Sequence, residues 1–111
     1  MTTTRETEFD AAMMDIYRRA RAEANYTATR YLQMLNEHRG LETARLLLHA
    51  ADGSEGYTAL WERGRLDLTV EALILQPRWH DFFSDKEREI ARNRLREYGF
   101  DLSSLEVKTE G

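Results

Sequence analysis

The chain has 111 residues, no cysteine, and a net charge of −4 from 16 basic and 20 acidic residues. This length fits one domain with its own core, and the missing cysteines exclude disulfides, thiolate metal sites and thiol nucleophiles. The charge balance shows no excess of basic residues of the kind that binds nucleic acid. No stretch resembles a membrane span or a secretory signal, so we expect a cytoplasmic protein that enters no membrane.

The first predicted helix spans about residues 8 to 24. Six apolar residues recur there at helical spacing and predict one buried face. These residues are Phe9, Met13, Ile16, Tyr17, Ala20 and Ala24. Polar residues 1 to 7 are predicted to form a flexible N-terminus. Asn25 is expected to end this helix or to cap the next one.

The next two predicted helices span about residues 27 to 39 and 42 to 51, on either side of Gly40. Glycine readily adopts the left-handed conformation that ends many helices, so Gly40 is predicted to stop the first of the pair. The pair also fits a helix-turn-helix whose second helix reads DNA. The side chains available for this reading are Thr43, Arg45 and His49. An ordinary antiparallel helix pair is the alternative interpretation.

The stretch from Leu66 to Leu75 is predicted to be the central element, following a short helix over about residues 57 to 63. Seven of its ten residues are apolar, and they cover nearly every side of a helix. Such a helix is buried among other helices. Pro77 disfavours helical backbone in the residue before it, so the helix is predicted to stop there. A buried strand is the competing interpretation of so short an apolar run.

The C-terminal part begins with an aromatic cluster and ends with a helix. The cluster residues are Trp79, Phe82 and Phe83. Ser84 and Glu87 have the spacing of a capping box, which predicts a last helix from Ser84 to about Tyr98. The complete prediction is all-α: one domain over residues 8 to 101, with five main helices and one or two short ones around residues 66 to 75, and a tail over residues 102 to 111.

A pattern of residues along most of the chain carries a resemblance. It includes Leu60-Trp61-Glu62-Arg63, Leu66 to Leu73, Trp79, Phe83, Glu87, Ala91-Arg92 and Arg94-Leu95. Upstream it includes Phe9, Met13-Met14, Ile16-Tyr17, Ala28 to Arg30 and Leu32 to Leu35. The pattern resembles a small, uncharacterised bacterial family of all-α proteins and spans about residues 8 to 99. The resemblance implies an all-α fold but no activity, so no functional residue is transferred from it.

Five residues are candidates for an interaction site. They are Trp61, Arg63, Arg65, Glu71 and Trp79. Glu71 lies in the apolar central stretch, where burial would raise its pKa unless a cation lies nearby. Arg63, Arg65 or an arginine of the first two helices is the expected partner, and the pair serves either structure or binding. Tryptophan is enriched at interface hot spots, so Trp61 or Trp79 at a surface groove would indicate a protein partner.

No catalytic, cofactor or metal motif is present, so we expect neither an enzyme nor a cofactor protein. The histidines at positions 38, 49 and 80 form no spaced ligand set, although His38 and His49 on different helices leave a shared metal geometrically open. The favoured function is a non-catalytic protein-interaction or regulatory module of a bacterial or mobile-element system. The alternatives are a small DNA-binding regulator and an inhibitor that docks on a nucleic-acid-processing enzyme. The sequence indicates no partner identity and no oligomeric state.

Overall fold

A computed structural model describes residues 3–50 and 55–102, and within these ranges the fold is all-α, as predicted. Five α-helices follow one another along the chain. They are α1 (Thr4–Glu23), α2 (Thr29–His49), α3 (Glu55–Glu62), α4 (Val70–Ile74) and α5 (Asp85–Glu97). Two 3₁₀ helices span Leu66–Leu68 and Pro77–Phe82. Helices α1 and α2 form the most extensive helix pair, and α4 packs against α1, α2 and α5.

Helix α1 begins at Thr4, earlier than the predicted residue 8. The Thr3 side chain accepts a hydrogen bond from the Glu6 N–H, and Glu6 Oε1 accepts one from the Thr3 N–H, both at 3.0 Å. This capping box satisfies two N–H groups at the helix start. Arg5 then anchors the first turn through Asp81, 2.6 Å away. Residues 4 to 7 therefore belong to α1 and not to a segment before it.

The predicted buried face of α1 is confirmed. Its buried residues are Phe9, Met13, Ile16, Tyr17 and Ala20, and Ala24 is buried at the helix end. Asn25 adopts a positive φ of 53°, and the Tyr26 N–H donates to the Ala20 carbonyl at 3.0 Å. Asn25 therefore ends α1, which was one of its two predicted roles.

Helix α2 consists of two helical parts joined across a kink at Arg39, one residue before the predicted stop at Gly40. Arg39 has φ 67° and ψ −178°, a region that costs free energy for any residue with a side chain. The carboxylate of Asp10 holds the kink, because it accepts the Arg39 Nε–H at 3.0 Å and the Gly40 N–H at 2.8 Å. The prediction of Gly40 as the left-handed stop is wrong.

Gly40 serves close packing between α1 and α2. A Cβ atom at this position would lie 2.8 Å from Asp10 Oδ1 and 3.2 Å from Asp10 Cα. Any larger residue would therefore push α1 away from the kink. The short connection differs from a helix-turn-helix, whose two helices are joined by a turn of several residues.

The central stretch is buried as predicted, but it is not one helix. Only Asp67 is exposed between Leu66 and Leu75. Thr69 breaks the run with extended backbone, because its hydroxyl donates to the Leu66 carbonyl at 2.7 Å and accepts from the Ala72 N–H at 3.1 Å. Threonine commonly favours such a cap over a helix interior. The 3₁₀ helix and α4 replace the predicted continuous helix.

The aromatic cluster and the last helix follow the prediction closely. Trp79 and Phe83 are buried beside Phe9, and the Phe9 and Trp79 ring centroids are 5.1 Å apart. Ser84 and Glu87 form the predicted capping box at the start of α5. The predicted tail lies outside the described residues except for Leu102, which packs partly buried on the core. No helix in the described ranges combines the length and hydropathy of a membrane span.

We expect Ile74→Ala to lower the free energy of unfolding by roughly 2–5 kcal/mol, because Ile74 is fully buried and its truncation leaves a cavity. Urea denaturation measures this change. Leu46→Ala is the control, since Leu46 is 43% exposed. A loss below ~1 kcal/mol for Ile74→Ala would show that α4 is not central to the core.

Candidate functional site

Glu71 lies in the first turn of α4 and forms an ion pair inside the protein. Only 4% of the residue is exposed, and its Oε2 accepts a hydrogen bond from Arg94 Nη1 at 2.9 Å. Burial raises the pKa of Glu71, while its own backbone N–H and Arg94 oppose that rise. The predicted partners were Arg63, Arg65 or an arginine of the first two helices. That prediction is wrong, because the cation comes from α5.

Arg94 also closes the C-terminal end of α2. Its Nη1 donates to the Leu47 carbonyl at 3.0 Å, and its Nη2 donates to those of Leu48 and Ala50 at 3.0 and 2.5 Å. These carbonyls belong to the last turn, where a helix has no intrahelical donors left. Because one guanidinium joins α2, α4 and α5, the Glu71–Arg94 pair is part of the packing of the fold.

The two tryptophans lie in opposite environments. Trp79 is 1% exposed, so it cannot provide the surface groove considered for it. Trp61 is 46% exposed and contacts Tyr98 edge-on, with ring centroids 5.2 Å apart. Tyr98 in turn contacts buried Tyr57, at 4.9 Å and an interplanar angle of 78°. A series of three rings therefore runs from the core to the exposed Trp61.

Arg63 and Arg65 tie the end of α3 to the end of α1. Arg63 Nε donates to the Ala24 carbonyl at 2.9 Å. Arg65 contacts Glu23 at 2.8 Å and Asp67 at 3.0 Å. Hydrogen bonds from Arg19 and Arg65 lower the pKa of Glu23 to about 2. The five predicted residues therefore form no single site, and Trp61 alone keeps a large exposed apolar surface.

A groove that the sequence did not indicate has a volume of about 1010 Å³. It lies between the second half of α1, both ends of α2, the helix α3 and the stretch from Leu68 to Glu71. Four tyrosines line it, and we call it the tyrosine groove. They are Tyr17, Tyr26, Tyr31 and Tyr57. Because they belong to separate segments, no spacing in the sequence brings them together.

Two further polar residues, Glu87 and Thr43, are also engaged in contacts within the fold. Glu87 contacts His49 at 3.1 Å and Arg45 at 3.4 Å, while it caps α5. Thr43 is fully buried and donates to the Met34 carbonyl at 3.1 Å, so this predicted DNA-reading residue cannot reach a base. In the part of the chain that the structure describes, no group of three or more His, Cys, Asp or Glu residues could hold a metal ion.

Comparison with protein-family models, with curated proteins and with solved structures finds no match to this chain.

We expect Glu23→Gln to remove a stabilising contribution that depends on pH. The pKa of Glu23 is lowered from 4.5 to about 2 in the folded protein, so the ionised carboxylate stabilises the fold above about pH 4.5 and loses this effect as the pH falls towards 2. Urea denaturation across this range should show the parent more stable at neutral pH and the two proteins converging in acid. A difference independent of pH would contradict the Arg19 and Arg65 contacts.

Proposed function

We propose that the protein is a non-catalytic module that binds a protein partner through the Trp61 surface, which we define as Trp61, Tyr98, Glu62 and Glu97. The exposure of Trp61 carries this proposal. Leu46 and Trp61 are the exposed large hydrophobic residues of the described ranges, and Trp61 is the aromatic one. Tryptophan buries a large area at little cost in conformational entropy, and it is enriched at interface hot spots.

The ring series beneath Trp61 supports the proposal because it holds the indole in place. Edge-to-face aromatic contacts contribute about 0.5–1.5 kcal/mol beyond their buried area. The inner ring, Tyr57, is itself 4% exposed. An indole positioned before binding loses less freedom on association than a mobile one.

The exposed carboxylates that adjoin Trp61 and Tyr98 in the chain favour a basic partner. Glu62 follows Trp61 in the chain, Glu97 precedes Tyr98, and both are exposed. The whole chain also carries a net charge of −4. An arginine or lysine on the partner could lie over the indole face and meet these carboxylates. Nucleic-acid-processing enzymes present such basic surfaces, so the inhibitor function stays a proposal that uses this same surface.

The pairing of the internal acids and bases supports binding over catalysis. Glu71 contacts Arg94, and Glu87 contacts His49 and Arg45. Each group therefore stabilises a helix end or a helix contact. Catalysis by a carboxylate generally requires a second titratable group with a distinct pKa next to a reacting atom.

We expect Trp61→Ala to weaken binding of peptides selected on the immobilised protein from a random display library. The selected peptides should combine arginine or lysine with apolar residues, and their Kd should rise about 10-fold or more in the variant. Fluorescence anisotropy measures the Kd. Leu46→Ala is the matched control, because it shortens the other exposed large apolar side chain.

Two results would contradict this proposal. One is an unchanged Kd for Trp61→Ala together with a loss of binding in Leu46→Ala. The other is the selection of acidic peptides, which would reverse the charge preference expected from Glu62 and Glu97. Thermal unfolding of both variants shows whether any loss of binding follows from a loss of fold.

A further inference from the structure

We infer that the tyrosine groove binds an anionic amphiphile, a small molecule with a carboxylate at one end and an apolar body. This inference is independent of the Trp61 surface. It rests on three properties of the groove, namely its apolar lining, its neutralised deep wall and the cation at its rim.

The lining of the groove suits an apolar body. Its tyrosines are accompanied by aliphatic side chains, among them Leu47, Leu68 and Val70. Small-molecule pockets are concave, about 300–1,000 Å³ in volume, and lined mainly by aromatic and apolar groups. The Tyr31 hydroxyl is already used, since it donates to the Met13 carbonyl at 2.7 Å. The ring of Tyr31 is therefore fixed, and its hydroxyl does not require a polar ligand atom.

The deep wall of the groove offers no charge for a ligand. Glu71 lines the groove, but Arg94 neutralises its carboxylate from the protein side at 2.9 Å. Thr69 also lines the groove, and its hydroxyl donates to Leu66 and accepts from Ala72. A charged head placed at this depth would lose its hydration without gaining a partner. The polar end of a ligand should therefore lie at the rim.

The rim carries a cation at Arg30. This residue lines the groove and is exposed, and the residues that the structure describes provide it with neither an ion pair nor a side-chain hydrogen bond. Arg65 and Arg94, in contrast, are held by carboxylates. The first turn of α2, where Arg30 lies, contains no acidic residue. A guanidinium forms charge-assisted hydrogen bonds with a carboxylate, so the charge at the rim selects an anionic head.

Calorimetric titration of the full chain with decanoate, below its micelle concentration, tests this inference. We expect saturable 1:1 binding. The variant Arg30→Gln should weaken decanoate binding by about 10-fold and should leave the binding of decanol, which has the same apolar body without the charge, unchanged. Arg18→Gln is the matched control. Arg18 is also exposed, but it lies on α1 outside the groove lining.

Nuclear magnetic resonance locates the ligand. Chemical-shift changes on decanoate addition should centre on groove residues such as Tyr26, Gln33 and Val70, and should spare the indole N–H of Trp61. The inference is overturned by three results: no saturable binding, equal effects of Arg30→Gln and Arg18→Gln, or shifts centred on Trp61. Nuclear Overhauser contacts between the empty groove and residues 103 to 111 would overturn it too, because the chain itself would then fill the groove.

Discussion

One guanidinium group, that of Arg94, holds together the three segments on which the core depends. It closes the end of α2 through three carbonyl oxygens and pairs with the carboxylate of Glu71 on α4. Ala91 and Leu95 beside it on α5 are fully buried, so the same face of α5 supplies both apolar contacts and the cation. A buried ion pair need not stabilise a fold more than apolar packing would, but the loss of one partner strands the other charge. The helix arrangement around α4 is therefore tied to the presence of both residues.

Local features of the fold could be predicted from the sequence, whereas features that depend on distant partners could not. The Ser84–Glu87 capping box and the burial of residues 66 to 75 follow from neighbouring residues and were predicted correctly. The kink at Arg39 is stabilised by Asp10, which is distant in the chain. The helix break at Thr69 is local, but helix propensity predicts a continuous helix there, and the capping hydrogen bonds of the threonine outweigh it. The sequence places Glu71 in an apolar stretch, but its partner on α5 follows only from the packing.

The candidate sites, too, depend on contacts between residues that are distant in the chain. Trp61 and Trp79 both lie in stretches that are partly apolar. Trp79 is buried because the Pro77–Phe82 helix packs against Phe9. The tyrosine groove draws its lining from five separate stretches of the chain, so no motif marks it. Arg30 at the rim has no ion-pair partner among the described residues, whereas Arg65 and Arg94 are paired with carboxylates. The sequence alone does not distinguish these arginines. The tyrosine groove therefore comes from the structure alone, whereas the sequence already indicates Trp61 as a candidate and its exposure selects it over Trp79.

Glu71 and Arg94 stabilise the fold as a pair, and a double-mutant cycle tests this coupling most directly. The free energy of unfolding is measured in urea for the parent, Glu71→Gln, Arg94→Gln and the double variant. If the pair is coupled, each single change leaves a buried polar partner, and the double change should be less harmful than the sum of the two by about 2 kcal/mol. Effects that add to within about 0.5 kcal/mol would contradict the claim, because independent sites behave in that way.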